Sequence, residues 1–308
     1  MSRFSKWRQS ENAQGLALVS PTFIYALLLL AAPIALVVAL SFWTQDYLTL
    51  DKTPTLNNYR EAWGTEKWGW TWTEMKAWGS QIYTVLMARS LKLSMLVTFF
   101  TILLAFPVAY YVSFYVDPKR KPFWIFMITI PFWTSYLMRI FLWKVILGYN
   151  GVVNGSLMGL GIIESPIREI AYSQNAVIIT LAHAWVPFAI LTIFVALEKI
   201  DRSLLEAAED LGDGPFRRFI RITLPLAMPG VVAATVIVFI PTIGDYVTPR
   251  LVGGPNGLMI SNMIELQFKK ANNAPLGAAL ALSAMFLVTL ISLIFVWMNR
   301  KYLTGNGR

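Results

Sequence analysis

The chain has 308 residues, of which 56% are hydrophobic and only 14% are charged. A soluble domain carries about a quarter charged residues, so a water-soluble particle is excluded and the class is integral membrane protein. It has no cysteine and one histidine, His183, which excludes disulfides, thiol nucleophiles and multi-histidine metal centres. The net charge of +9 is carried by segments between apolar runs, so its placement explains it without a nucleic acid partner.

In chain order, residues 1–15 hold Arg3, Lys6 and Arg8 and form a basic tail. Residues 16–42 are apolar for longer than the core of a signal peptide, which predicts a first membrane helix, with a kink at Pro33. A polar connection, residues 43–88, carries Trp43, Trp63, Trp68, Trp70, Trp72 and Trp78. Two readings stand for these tryptophans: interfacial anchors at one headgroup level, or part of a surface for an extracytoplasmic partner. Residues 91–116 predict a second span, and Asp117-Pro-Lys-Arg-Lys-Pro122 a tight cytoplasmic hairpin with three consecutive bases.

Residues 123–146 predict a third span, with Arg139 reaching the outer interface from near its far end. The glycine-rich stretch 148–174 reads as an outer loop with a short interfacial helix. Residues 176–197, 226–243 and 276–298 supply the remaining spans, followed by the tail 299–308. Pro131, Pro187 and Pro241 are expected to kink their helices. The fold class is therefore all-α, a polytopic membrane protein with six transmembrane helices. The segments read as cytoplasmic, both termini among them, hold more than half of the 26 Lys and Arg, as the positive-inside rule requires.

Between the fourth and fifth spans lies a charged island, residues 203–223. Asp201 and Ser203 are both candidate caps, and Ser203 stands three residues before Glu206 at capping-box spacing. Leu204, Ala207, Ala208 and Leu211 recur at helical spacing, with Glu206, Glu209 and Asp210 toward water. Gly212 and Gly214-Pro215 stop that helix. A second short helix is expected over 215–222, with Arg217, Arg218 and Arg221 on one side, before Leu224-Pro225 re-enters the membrane. An acidic patch beside exposed Leu and Ala suits a protein groove better than an anionic lipid leaflet.

Glu206-Ala207-Ala208, Gly212, Ile222 and Leu224-Pro225, at these gaps and in the last cytoplasmic loop, resemble the cytoplasmic motif of bacterial ABC importer permeases. Pro131-Phe132-Trp133-Thr134 with Arg139-Ile140, Pro166-Ile167-Arg168, and Gly253-Gly254-Pro255 followed by residues 260–268 are similar to the spermidine/putrescine importer permeases. The likeness covers residues 15–300 and is strongest to the first of the two unlike permease subunits. It implies the type I (MetI-like) importer fold and an inner-membrane location. It also implies a second permease subunit, a cytoplasmic ATPase dimer that uses ATP and Mg, an extracytoplasmic solute-binding protein, and a polyamine cargo. In this resemblance the helix carrying residues 206–212 sits in a groove of the ATPase, and the chain itself holds no cofactor and catalyses nothing.

Asp245, beside Tyr246, is the acid expected near the outer boundary of the last three helices. It either caps its loop or partners a protonated amine entering the path, with the Tyr246 ring as a cation-π face. Trp133, Tyr136, Trp185 and Phe188 are candidate path aromatics or, alternatively, packing residues. His183 reads as a packed residue. An intramembrane enzyme would need a cluster of nucleophile, base or ligand groups that the spans lack. A secondary transporter would show internal repeats and mid-membrane coupling acids. Within the importer reading, other small solutes remain alternatives to polyamines.

Overall fold

The structure, a computed structural model, describes residues 11–47, 49–64 and 81–303. Trp68, Trp70, Trp72 and Trp78, the bases of the N-terminal tail and the last residues of the C-terminal tail lie outside that set. Among the described residues five helices are long and apolar enough to cross a membrane, and a bent pair makes up to a sixth. Helix α1 (Glu11–Ser41) is followed by a small antiparallel hairpin, β1 (Thr44–Asp46) and β2 (Thr49–Asp51), with Gln45 opposite Leu50. A short helix α2 (Asn57–Trp63) leads to the long helix α3 (Ile82–Phe114). The bent pair is α4 (Lys121–Thr129), extended by a 3-10 turn at Ile130–Trp133, and α5 (Tyr136–Leu147) running into α6 (Val152–Gly159). Helix α7 (Gln174–Leu197) precedes the charged helix α8 (Arg202–Asp210). Then come a short helix α9 (Pro215–Arg218), a π turn at Phe219–Thr223, and α10 (Leu224–Gly244). Helices α11 (Val247–Val252) and α12 (Ile260–Lys269) lie before α13 (Ala274–Met298).

The centre of the bundle is α3, α7 and α10. Their buried faces combine Leu93, Val97, Leu181, Ile193 and Val238 with the small residues Ala105, Ala109, Ala189, Ala227 and Ala234. Small residues matter because hydrocarbon solvates apolar side chains as well as protein does, so membrane helices gain by close approach rather than by leaving water. Gly230 marks the tightest point: a Cβ there would stand 2.4 Å from the Ala196 Cβ, where α10 crosses the end of α7. Several polar residues inside the bundle are satisfied locally, while the hydroxyls of Ser94, Thr101, Thr180 and Ser292 are buried without a partner among the described residues. Thr98 and Thr242 each donate to the carbonyl four residues back, and Ser90 does the same while accepting the Ile260 N–H at 2.8 Å. That last bond ties α12 to α3, whose helix starts at Ile82, ahead of the apolar run at 91. Helix α1 is peripheral: its apolar stretch is exposed along its length and it packs on α13.

Two local expectations need correction. The island's second helix is not separate from the fifth span, because residues 215–244 run as one continuous helix. Pro225 supplies the reason. Its ring crowds the carbonyl four residues back, at Arg221, and it has no N–H to donate. The π turn over Phe219–Thr223 widens the helix at that level, with the Leu224 N–H reaching back to the Phe219 carbonyl, so the proline is accommodated without a break. The third span, conversely, is not one helix, since its halves meet at 85° around Thr134 and Ser135.

Candidate functional site

Features that bear on function gather at the two opposite ends of the bundle. At one end, α8 buries only Ala208 and leaves Leu204, Ala207 and Leu211 on its surface, with Leu211 87% exposed. Glu206, Glu209 and Asp210 stand beside them, also exposed. Asp201 caps the helix by accepting the Ser203 N–H at 3.0 Å, and that bond holds its carboxyl below the usual carboxylate range. Ser203 lies inside the helix, so the expected capping box from Ser203 to Glu206 does not form. The other end of α8 closes in a Schellman turn, where Gly212 N–H donates to the Glu209 carbonyl at 2.8 Å and Asp213 N–H to the Ala208 carbonyl at 2.9 Å. Gly212 has φ +85°, a region that costs a residue bearing a Cβ about 1–2 kcal/mol.

Arg218 pairs with Glu209, and Arg221 with Asp213 at 3.5 Å, so α9 and the π turn are folded back against α8. Phe219 sets its ring edge-on to Phe106 and Tyr110 of α3, with both centroid distances 5.7 Å. Ile222 and Leu224-Pro225 are part of the continuous helix. The assembly is an exposed apolar ridge, rimmed by acids, on a helix braced against the spans behind it. Such a ridge is chemically suited to a protein groove with basic edges.

At the opposite end Asp245 closes α10 and opens α11. Its Oδ1 accepts the Val247 and Thr248 N–H groups at 2.9 and 3.3 Å, and its Oδ2 accepts the Tyr136 hydroxyl at 2.5 Å. The same hydroxyl lies 3.0 Å from Thr248 Oγ1. Ser261 and Asn262 of α12 donate to the carbonyls of Asp245 and Tyr246, both at 2.7 Å. Asp245 therefore does cap its turn, and the structure also brings Tyr136 to it. Its carboxylate keeps acceptor capacity beyond these three bonds, because two carboxylate oxygens offer about four lone-pair sites.

The remaining path candidates are dispersed. Trp133 is 81% exposed and makes no ring contact or hydrogen bond among the described residues. Trp185 packs on Phe188, which in turn meets Phe132 with centroids 4.2 Å apart. The Tyr246 ring carries Lys269 Nζ at 5.5 Å, so its cation-π face is already used within the chain. His183 is exposed rather than packed, and its Nδ1 accepts the Trp143 indole N–H at 3.1 Å.

Arg139 does not reach the outer interface as its position suggested. It is buried, and its Nη2 donates to the Pro131 carbonyl and, at 3.3 Å, to that of Thr134. At the break the Pro131 carbonyl already accepts the Thr134 hydroxyl at 2.8 Å, and Arg139, one turn inside α5, adds to that bond and closes the Thr134 carbonyl where unpaired backbone groups are costly. Arg139→Leu is expected to lower stability by about 1–3 kcal/mol, read as a drop in the unfolding temperature of the solubilised chain. An unchanged unfolding temperature would show that the bonds are not needed at the break.

Sequence reasoning singled out Asp245 at this end and missed a second carboxylate. Glu265 on α12 is bound by Arg250 at 2.8 Å and Lys269 at 3.1 Å. Burial pushes its carboxyl up, but the bond from Lys269 and the charge of Arg250 outweigh it and hold it below the usual range. The Lys269 spacing, four residues on, is a sequence signal for the pair; Arg250 is visible only in space.

The fold and its two ends define a polytopic helical membrane protein with an acid-rimmed apolar ridge at one end and a polar hub at the other. The family model described as binding-protein-dependent transport system inner membrane component matches residues 77–303. The chain belongs to that family of transport permeases. It is 34% identical to the spermidine/putrescine transport system permease protein PotB of Haemophilus influenzae, over 92% of this chain and 93% of that one. It is 35% identical to PotB of Escherichia coli, over 70% and 77%, and 32% identical to the inner membrane ABC transporter permease YdcU of Escherichia coli, over 81% and 78%. Among solved structures, a bacterial ABC transporter that imports the acidic polysaccharide alginate superposes with a TM-score of 0.69 at 18% identity, covering 97% of this chain and 99% of that one. The MetNI methionine ABC transporter gives a TM-score of 0.54 at 18% identity, over 70% and 94%. These two likenesses establish the fold: an all-α type I importer permease.

Proposed function

We propose that this chain forms half of the membrane pathway of an ATP-driven polyamine importer and takes its driving force through α8. The observation that carries the reading is the exposed ridge of Leu204, Ala207 and Leu211 with its acidic rim, held by the Gly212 turn, in a chain about one-third identical to spermidine/putrescine permeases. In this reading α8 faces the cytoplasm, as do both termini. A separate ATPase dimer binds ATP and Mg and docks on Glu206, Ala207, Ala208 and the Gly212 turn, with Ile222, Leu224 and Pro225 carrying the motion into the fifth span. A second permease subunit completes the pathway, and a solute-binding protein delivers cargo at the opposite end. The chain itself hydrolyses nothing and holds no cofactor.

Asp245, supported by Tyr136 and Thr248, is the group best suited to meet an ammonium at the delivery end. Trp133, Trp185 and Tyr246 are secondary path candidates. The docking half of the reading is tested by copurification from a membrane holding all subunits. The tagged chain is expected to bring down the second permease and the ATPase, and the Glu206→Lys chain to lose the ATPase alone. Retention of the ATPase by Glu206→Lys would contradict α8 as the docking element.

A further inference from the structure

Beside α8, four side chains from four elements meet in one polar cluster. Glu198, the C-terminal cap of α7, accepts Ser113 Oγ–H and Lys121 Nζ–H on the same Oε1, each at 2.6 Å. Arg202, the first residue of α8, donates Nη2 to the Ser113 carbonyl at 3.1 Å. Ser113 sits in the last turn of α3, and Lys121 is the first residue of α4. A carboxylate at a helix C-terminus is disfavoured by the helix dipole, so Glu198 is held there by the groups around it. Partial burial pushes its carboxyl up, but the bonds from Lys121 and Ser113 outweigh it and keep the group below the usual range, ionised at neutral pH.

The cluster joins the head of the docking helix to the head of the third span. From Lys121 the rod of α4 and its 3-10 turn runs about 20 Å to the break closed by Arg139. Immediately beyond that break stands Tyr136 with its bond to Asp245. One rod thus has the docking end at its start and the Tyr136–Asp245 hub at its finish. A second connection, through the continuous helix 215–244, reaches Asp245 from the other side.

We propose that Glu198 is a positioning residue for transport: Arg202 of α8 holds the Ser113 carbonyl and Glu198 links Ser113 to Lys121, so that displacement of α8 is delivered through Ser113 and Glu198 to α4 and along it to the break beside Tyr136 and Asp245. The proposal rests on the docking role of α8. Partly exposed ion pairs add little to stability, so a merely structural Glu198 would leave transport stoichiometry unchanged on neutralisation.

The test uses the full complex in proteoliposomes, with putrescine and spermidine as probes, and reads cargo taken up per ATP hydrolysed. Glu198→Gln and Lys121→Gln are each expected to keep the ATPase bound while that ratio falls about fivefold or more. The exchanged pair, Glu198→Lys with Lys121→Glu, restores most of it, because it keeps the ion pair and places each charge at the helix end that favours it. An unchanged ratio in Glu198→Gln, or an exchanged pair no better than the single changes, overturns the proposal. If Glu198→Gln does not assemble, the exchanged pair decides alone, a near-normal ratio supporting the tie and a low one overturning it. Failure of the docking reading shows separately, as an ATPase that stays bound to Glu206→Lys.

Discussion

Glu206→Lys is expected to abolish cargo-stimulated ATP hydrolysis and uptake while leaving the membrane bundle folded. Glu206 is exposed on α8 and takes no part in the bonds of the Gly212 turn or in the Arg218–Glu209 ion pair. A surface change of that kind shifts stability by about 0.5 kcal/mol or less. Opposite the basic edge of a groove, the same change replaces attraction by repulsion and costs several kcal/mol of docking free energy. The two scales separate the outcomes. Stimulated hydrolysis and uptake near the unaltered level would place the docking surface elsewhere. Gly212→Asp is a less clean probe of the same surface, because the positive φ makes the substitution reshape the end of α8 as well as add charge.

Asp245→Asn is expected to raise the substrate concentration needed for half-maximal uptake about tenfold, the equivalent of losing one charge-assisted hydrogen bond. The geometry makes this substitution specific for charge. Asparagine keeps a side-chain oxygen for the Val247 and Thr248 N–H groups, and Asn and Asp cap helices equally well. An unaltered uptake curve would mean that Asp245 serves only to hold the turn between α10 and α11. Tyr136→Phe separates the two roles further, since it frees Oδ2 while leaving the cap intact.

Much of the fold was legible because membrane spans are written as long apolar runs, and those runs leave little ambiguity. Helix α8 was legible for another reason. Its apolar spacing, its acids and Gly212 are local features, and Gly212 does take the left-handed conformation that ends the helix. What sequence did not show depends on partners distant along the chain. Pro131 signals a disturbance in the third span, but the 85° bend and the role of Arg139 in closing it emerge only when the carbonyls of Pro131 and Thr134 are placed beside that guanidinium. Glu198 and Lys121 are separated by α4, α5, α6 and α7, and nothing local to either residue names the other. Gly214-Pro215 correctly marks a helix start. The continuation through Pro225 escaped because a proline reads as a boundary unless a π turn accommodates it.

The central claim is that this chain moves polyamines inward using the work of an ATPase docked on α8. Its most direct test is ATP hydrolysis by the reconstituted complex of this chain, its partner permease and the ATPase, measured with the solute-binding protein either empty or loaded. Putrescine or spermidine on the binding protein should raise hydrolysis several-fold and drive accumulation of the same solute inside. Equal hydrolysis with the empty protein, or stimulation only by an unrelated solute such as sulfate or thiamine, would contradict it.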